Sequence, residues 1–128
     1  MPSDLLRFDD EMELEAGWRL DGQDGAGQRV QLSLGETELR QAYLGVTIGR
    51  HPHLCELLID DPTVSRRHFR LSLGTAGLLV EDVHSLNGTI VDGLPLTPFL
   101  PVVLHDGQVL TIGRVNLTVS RLAGRGAD

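Results

Sequence analysis

His68-Phe69-Arg70-Leu71-Ser72-Leu73-Gly74-Thr75-Ala76-Gly77-Leu78-Leu79-Val80-Glu81 is the stretch on which the architecture turns. Phe69, Leu71 and Leu73 occupy every second position, so an extended backbone puts all three on one face, whereas helical spacing would scatter them. Gly74 and Gly77 supply the positive backbone dihedrals of a tight turn, and a second apolar segment follows at 78–81. Val30, Leu32 and Leu34 repeat the alternation in 29–34. Segments of this kind recur at 18–20, 29–34, 44–48, 56–59, 68–73, 78–81, 89–91, 94–96, 102–104, 108–112 and 116–120. That is about eleven, spaced roughly eight to twelve residues apart, as in a sandwich or barrel. Asp21-Gly22, Asn87-Gly88, Asp92-Gly93, Asp106-Gly107 and Gly113 are read as turns between them, with Pro62, Pro95, Pro98 and Pro101 reinforcing the loops. Residues 36–43 are the one stretch with helical character, read as a loop with a helical turn.

A length of 128 residues fits one domain. Aromatics are 4% of the chain against 41% apolar residues, so the interior must be built from Leu, Val and Ile. Of the net charge of -7, the first fifteen residues carry -5, from Asp4, Asp9, Asp10, Glu11, Glu13 and Glu15 against Arg7. This argues against nonspecific nucleic-acid binding, which needs a basic surface. It also marks residues 1–15 as a flexible or weakly helical acidic leader. No run approaches the length of a membrane span and no signal-peptide order is present, so a cytoplasmic, soluble protein is expected. Cys55 is solitary and the five histidines lack regular ligand spacing, so neither a disulfide, a metal nor another cofactor is expected. All eleven Lys and Arg positions are arginine, which excludes lysine chemistry. Arginine suits bidentate grip on phosphate, although a GC-rich bacterial genome would produce the same bias.

Three connections concentrate polar groups with phosphate-binding potential: Ile48-Gly49-Arg50, Ser65-Arg66-Arg67-His68, and Asp82-Val83-His84-Ser85-Leu86-Asn87-Gly88-Thr89. A phosphate monoester carries about -1.5 to -2 charges and three acceptor oxygens, so it wants an arginine and short neutral donors. Arg50, Ser65 and Arg66 can supply that set. Against this stand simpler roles: Arg50 as a surface arginine at a strand end, Ser65 as a turn serine, and Asn87 as a left-handed turn residue. Period-two alternation would send Arg67 to the face opposite Arg66. A triad of Ser65, His68 and Asp82 or Asp106 is rejected, because there is no nucleophile elbow and three-residue spacing on an extended chain separates Ser65 from His68.

In this order and at these distances the three motifs resemble the signature of the forkhead-associated domain family, a Gly-Arg, then Ser-x-x-His, then Ser-x-Asn-Gly-Thr. The resemblance spans about 18–122, nearly the whole chain. It implies an all-β, two-sheet sandwich of the forkhead-associated or SMAD-like kind, with binding loops at one end and domain limits of 16–123, followed by a short tail at 124–128. It also implies a non-catalytic adaptor for a phosphothreonine-containing protein that a Ser/Thr kinase has modified. Oligomeric state is not read from the sequence, with a monomer favoured. The alternative is a phosphate-independent structural or scaffold module within a larger assembly. Carried over motif by motif, Arg50, Ser65, Arg66, Ser85, Leu86 and Asn87 form the phosphopeptide site, and Gly49, His68, Gly88 and Thr89 support it. His68 ties the loops together by hydrogen bonding, and the Asn87 amide pairs with the peptide backbone. Many members have a small hydroxyl residue where this chain has Leu86, and loss of that donor would weaken phosphate affinity, with Ser85 compensating only if the loop shifts.

Overall fold

The computed structural model of the chain describes residues 15–124. The acidic leader, except for Glu15, and the tail beyond 124 lie outside them. The described chain forms eleven strands and one short helix. In chain order these are β1 (Gly17–Gln23), β2 (Arg29–Gly35), α1 (Glu36–Gln41), β3 (Val46–Gly49), β4 (Leu57–Leu58), β5 (Phe69–Gly74), β6 (Gly77–Asp82), β7 (Thr89–Val91), β8 (Leu94–Pro95), β9 (Val102–Val103), β10 (Val109–Ile112) and β11 (Val115–Leu122). Each expected segment corresponds to one strand.

The strands divide into a six-stranded sheet, β2-β1-β11-β10-β7-β8, and a five-stranded sheet, β4-β3-β5-β6-β9. Their alternation is what seals the core. Leu20, Leu32, Leu110, Leu117 and Val119 point inward from the first sheet, and Ile48, Phe69, Leu71 and Val80 from the second, all buried. Burying a side chain of this size contributes about 1.5–3 kcal/mol. A register slip of one residue would turn each of these rows to water, so the pairings Leu71 with Val80 and Leu20 with Val119 are held by the hydrophobic pattern.

Two local readings are corrected. Asp21-Gly22 is not a turn: it lies inside β1, and the chain reverses at Asp24, whose backbone N–H donates to the Gln28 carbonyl at 2.9 Å. Gly22 is required there for another reason, since a Cβ would sit 1.7 Å from the Asn116 carbonyl oxygen of β11. Leu44 does not open β3. Gly45 has φ +86°, so the strand begins after it, at Val46, and Leu44 stays exposed. Residues 36–41 are a true short helix, pinned by the buried Leu39, with the Glu38 carboxylate accepting the Gly35 N–H at 3.3 Å.

β3 ends at Gly49 and β5 begins at Phe69, neighbours in the same sheet. The connections after β3, before β5 and between β6 and β7 therefore emerge together at one end of the sandwich.

Candidate functional site

Gly49 sets the geometry at that end. A Cβ on it would lie 2.3 Å from the Arg66 carbonyl oxygen and 2.8 Å from that of Ser65, so only glycine lets the 64–67 segment press against β3. The contact is sealed by backbone bonds from Arg50 N to Ser65 O (3.0 Å) and from His51 N to Arg66 O (3.2 Å). Arg50 is thereby held beside the loop, and its Nε–H donates to the Val64 carbonyl at 3.0 Å. Its terminal guanidinium nitrogens have no hydrogen-bond partner among the described residues.

The third connection is stitched to the second. The Leu86 N–H donates to Ser65 Oγ at 2.9 Å, which fills one lone pair of the hydroxyl and leaves its proton free to be donated. The Asn87 amide donates to the Thr63 carbonyl at 2.7 Å. Asn87 does not take the left-handed turn conformation that was one reading of it; Gly88, at φ +82°, takes it instead.

His68 is fully buried and links both loops. The Ser65 N–H donates to its Nδ1 at 3.0 Å, so that nitrogen carries no proton, and Nε2–H donates to the Gly88 carbonyl at 2.8 Å. Burial pushes the imidazole below its ordinary value, outweighing the upward pull of Gly88 and Asp82, so the ring is neutral near pH 7.

Asp82, also buried, organises the β6–β7 turn. Its carboxylate accepts the hydroxyls of Ser85 and Thr89, the latter at 2.6 Å, and the N–H groups of His84 (3.0 Å) and Ser85 (3.1 Å). Burial alone would raise its pKa. The donors Ser85 and Thr89, with the Ser85 amide and His68, more than offset this and hold the carboxyl below the usual range. Asp82 makes no hydrogen bond to His68, and Ser65 reaches His68 through its backbone, so no triad is assembled. Sequence reasoning placed Asp82 in a polar turn and weighed it as a triad member; the signal for its role as the acceptor of that turn is the Asp82-x-x-Ser85 spacing.

Asp61 does the same work in the second connection. Its carboxylate accepts the N–H of Gly25 (3.0 Å) and of Thr63 (2.9 Å) and the Thr63 hydroxyl, while Thr63 Oγ1 accepts the Arg114 N–H at 2.8 Å. The Thr63 hydroxyl is the main cause of the lowered Asp61 pKa, against the opposing effect of burial. Asp61-Pro62-Thr63 thus ties the loop to the β1–β2 and β10–β11 turns; the turn at Asp61-Pro62 is legible in the sequence, its contacts with Gly25 and Arg114 are not.

The result is an open cleft of about 650 Å³ lined by Arg50, residues 62–67 and residues 84–87. Arg50, Ser65, Arg66, Ser85, Leu86 and Asn87 all border it. Ser85 does so with its hydroxyl proton committed to the Asp82 carboxylate. Arg67 borders it too, beside Arg66: the segment is a bend, so period-two alternation does not apply. Among the described residues, three arginines and no carboxylate face the cleft, in a chain of net charge -7. Among the described residues, no group of three His, Cys, Asp or Glu side chains could hold a metal, and no helix is long and apolar enough to cross a membrane.

Fold and cleft together define a β-sandwich recognition domain whose connections, rather than its sheets, carry the polar chemistry. The FHA domain profile matches residues 46–113, more than half of the chain, and the chain belongs to the FHA domain family. It is 41% identical over 81 residues to the oxoglutarate dehydrogenase inhibitor of Corynebacterium efficiens, covering 63% of this chain and 53% of that one. It is 42% identical over 69 residues to the glycogen accumulation regulator GarA of Mycolicibacterium smegmatis, covering 54% and 41%. The chain thus spans about half the length of these curated relatives. Among solved structures it is similar to an FHA domain studied for its phosphothreonine-dependent interactions, at 29% identity and TM-score 0.60, covering 81% of this chain and 95% of that one.

Proposed function

We propose that this domain binds phosphothreonine-containing segments of a partner protein modified by a Ser/Thr kinase, and that it does so without chemical turnover. The observation that carries the reading is the cleft itself: an acidic protein that gathers Arg50, Arg66 and Arg67 around one opening, with no carboxylate among the described residues that line it. Such a site suits a dianion, because charge-assisted bonds are roughly twice as strong as neutral ones and arginine can bond two oxygens at once. Arg50 supplies the guanidinium, Ser65 a hydroxyl proton left unused by the fold, and Arg66 its side chain and backbone amide. Asn87 keeps its amide oxygen for the peptide backbone. Gly49, His68, Gly88 and Thr89 hold these groups in place. Membership in the FHA family and relatives named as an inhibitor and a regulator agree with binding rather than catalysis.

A domain spanning 16–123, acting in the cytoplasm as a monomer and without nucleic acid, cofactor or membrane insertion, is part of the same proposal. Leu86, 89% exposed where many members have a hydroxyl, favours the alternative of a phosphate-independent scaffold. Titration with an oriented phosphothreonine peptide library, beside phosphoserine and unphosphorylated controls, decides between them. Binding that requires the phosphate and prefers threonine supports the adaptor; equal binding of the unphosphorylated peptides rejects it.

A further inference from the structure

The cleft has two unlike walls. Arg50, Arg66 and Arg67 belong to one, His84 and Leu86 to the other. The second wall continues beyond the cleft, because the His84 imidazole stacks on the Phe99 ring with centroids 6.3 Å apart and 27° between planes. Phe99 is 61% exposed, and neither ring contributes to the hydrophobic core.

The backbone holds these rings in place at some cost. His84 and Phe99 have φ of 67° and 62°, a left-handed region that bulky side chains seldom occupy. Both are fastened to one buried residue: the His84 N–H donates to the Asp82 carboxylate at 3.0 Å, and the Phe99 N–H to the Asp82 carbonyl at 2.8 Å. Asp82 therefore shapes the phosphate-facing turn with its carboxylate and fastens Phe99 beside that turn with its main-chain carbonyl. On the other flank, past Thr63 and Asn87, the neighbouring groove is lined by Ile90, Gly113 and the cationic Arg114, with no aromatic ring. A peptide crossing the cleft would meet chemically different surfaces on its two sides.

We infer that the His84–Phe99 face is a second subsite for the same ligand and takes an apolar side chain of the phosphopeptide, on the flank away from Arg114. This rests on the reading of the cleft as a phosphothreonine site. The occupant follows from continuity: His84 is both a cleft wall and half of the stack, so a peptide anchored by its phosphate lies against the rings. Covering an exposed, rigid aromatic face with a leucine instead of an alanine removes apolar surface from water at little ordering cost, an effect of roughly tenfold in affinity.

The test uses phosphothreonine peptides with alanine at every flanking position, and a set with leucine placed at one position at a time, measured by calorimetry. One position is expected to gain roughly tenfold from leucine, and in Phe99→Asn that preference should fall to within about twofold. Asparagine tolerates the left-handed backbone, so the turn is retained, and His84→Asn repeats the measurement from the other ring. If no position gains from leucine, or if the gain survives in both variants, the subsite does not exist while phosphothreonine binding stands. If the unaltered domain fails to distinguish phosphorylated from unphosphorylated peptides, the underlying reading falls and the subsite with it.

Discussion

Arg50 is anchored by its Nε to Val64 and offers the rest of its guanidinium to the opening, so its removal would take away a charge without disturbing the strand that carries it. Arg50→Ala is expected to cost roughly 2–5 kcal/mol of phosphopeptide affinity, the scale for truncating a charged partner. The folding midpoint should barely move, and calorimetry beside a denaturant titration checks both. Arg50→Lys should recover only part of the loss, because an ammonium cannot make the paired contact of a guanidinium. Ser65 plays two parts at once. Its oxygen accepts the Leu86 N–H, and its proton is available to a ligand. Ser65→Ala would remove a bond to a charged group worth about 1.5–3 kcal/mol and leave the Leu86 N–H without its acceptor. Its phosphopeptide affinity should fall by that amount or more, and unchanged binding would remove Ser65 from the site.

The connection between β4 and β5 has no regular structure, and its shape comes from contacts on either side. Gly49 of β3 admits it, because any Cβ there would collide with the Arg66 carbonyl. Gly49→Ala is expected to destabilise the fold by about 1–3 kcal/mol, as overpacking does, and to weaken phosphopeptide binding through displacement of the 64–67 segment. Chemical denaturation and a peptide titration on the same variant would show whether the two losses travel together. Thr89, buried at the start of β7, reports on the other loop. Its hydroxyl donates to Asp82, and Thr89→Val keeps the shape of the side chain while leaving that carboxylate one donor short. A loss of about 1–3 kcal/mol in stability is expected, visible in the same denaturation experiment.

Stability as a function of pH involves the sandwich and its loops together. His68 has a lower pKa when folded than its ordinary 6.5, so in mildly acidic solution the unfolded chain binds a proton that the native state refuses. The contribution of His68 is therefore fully present above about pH 6.5 and is lost as the pH falls through the folded value. Protonation at Nδ1 would also break the bond from the Ser65 N–H, loosening the loop that carries the candidate hydroxyl. Thermal melts should show a falling midpoint as the pH is lowered from about 7 to 5, with a shallower slope in His68→Gln; equal slopes in the two proteins would contradict this. Asp61 and Asp82, both held below 3.8, act in a separate window. Their contribution is present above that value and is lost as the pH falls further.

Alternation of apolar residues made the strands legible in advance, because a period of two is a property of each segment alone, and eleven segments became eleven strands. The three polar motifs were legible as well, through their resemblance to the FHA signature. Contacts between distant segments could not be read in that way. Gly22 looked like half of a turn and proved to be a close approach to β11. Arg67 was expected on the face opposite Arg66 and lies beside it, because the loop bends where a strand would alternate. Asp82 and Asp61 sit at turns that the sequence marks, but the approach of Gly25 to Asp61 and of Phe99 to Asp82 appears only once the chain has folded. Local order along the chain follows from neighbouring side chains and was open to inspection. The cleft depends on which backbone can approach which, and that is decided when the two sheets close on one core.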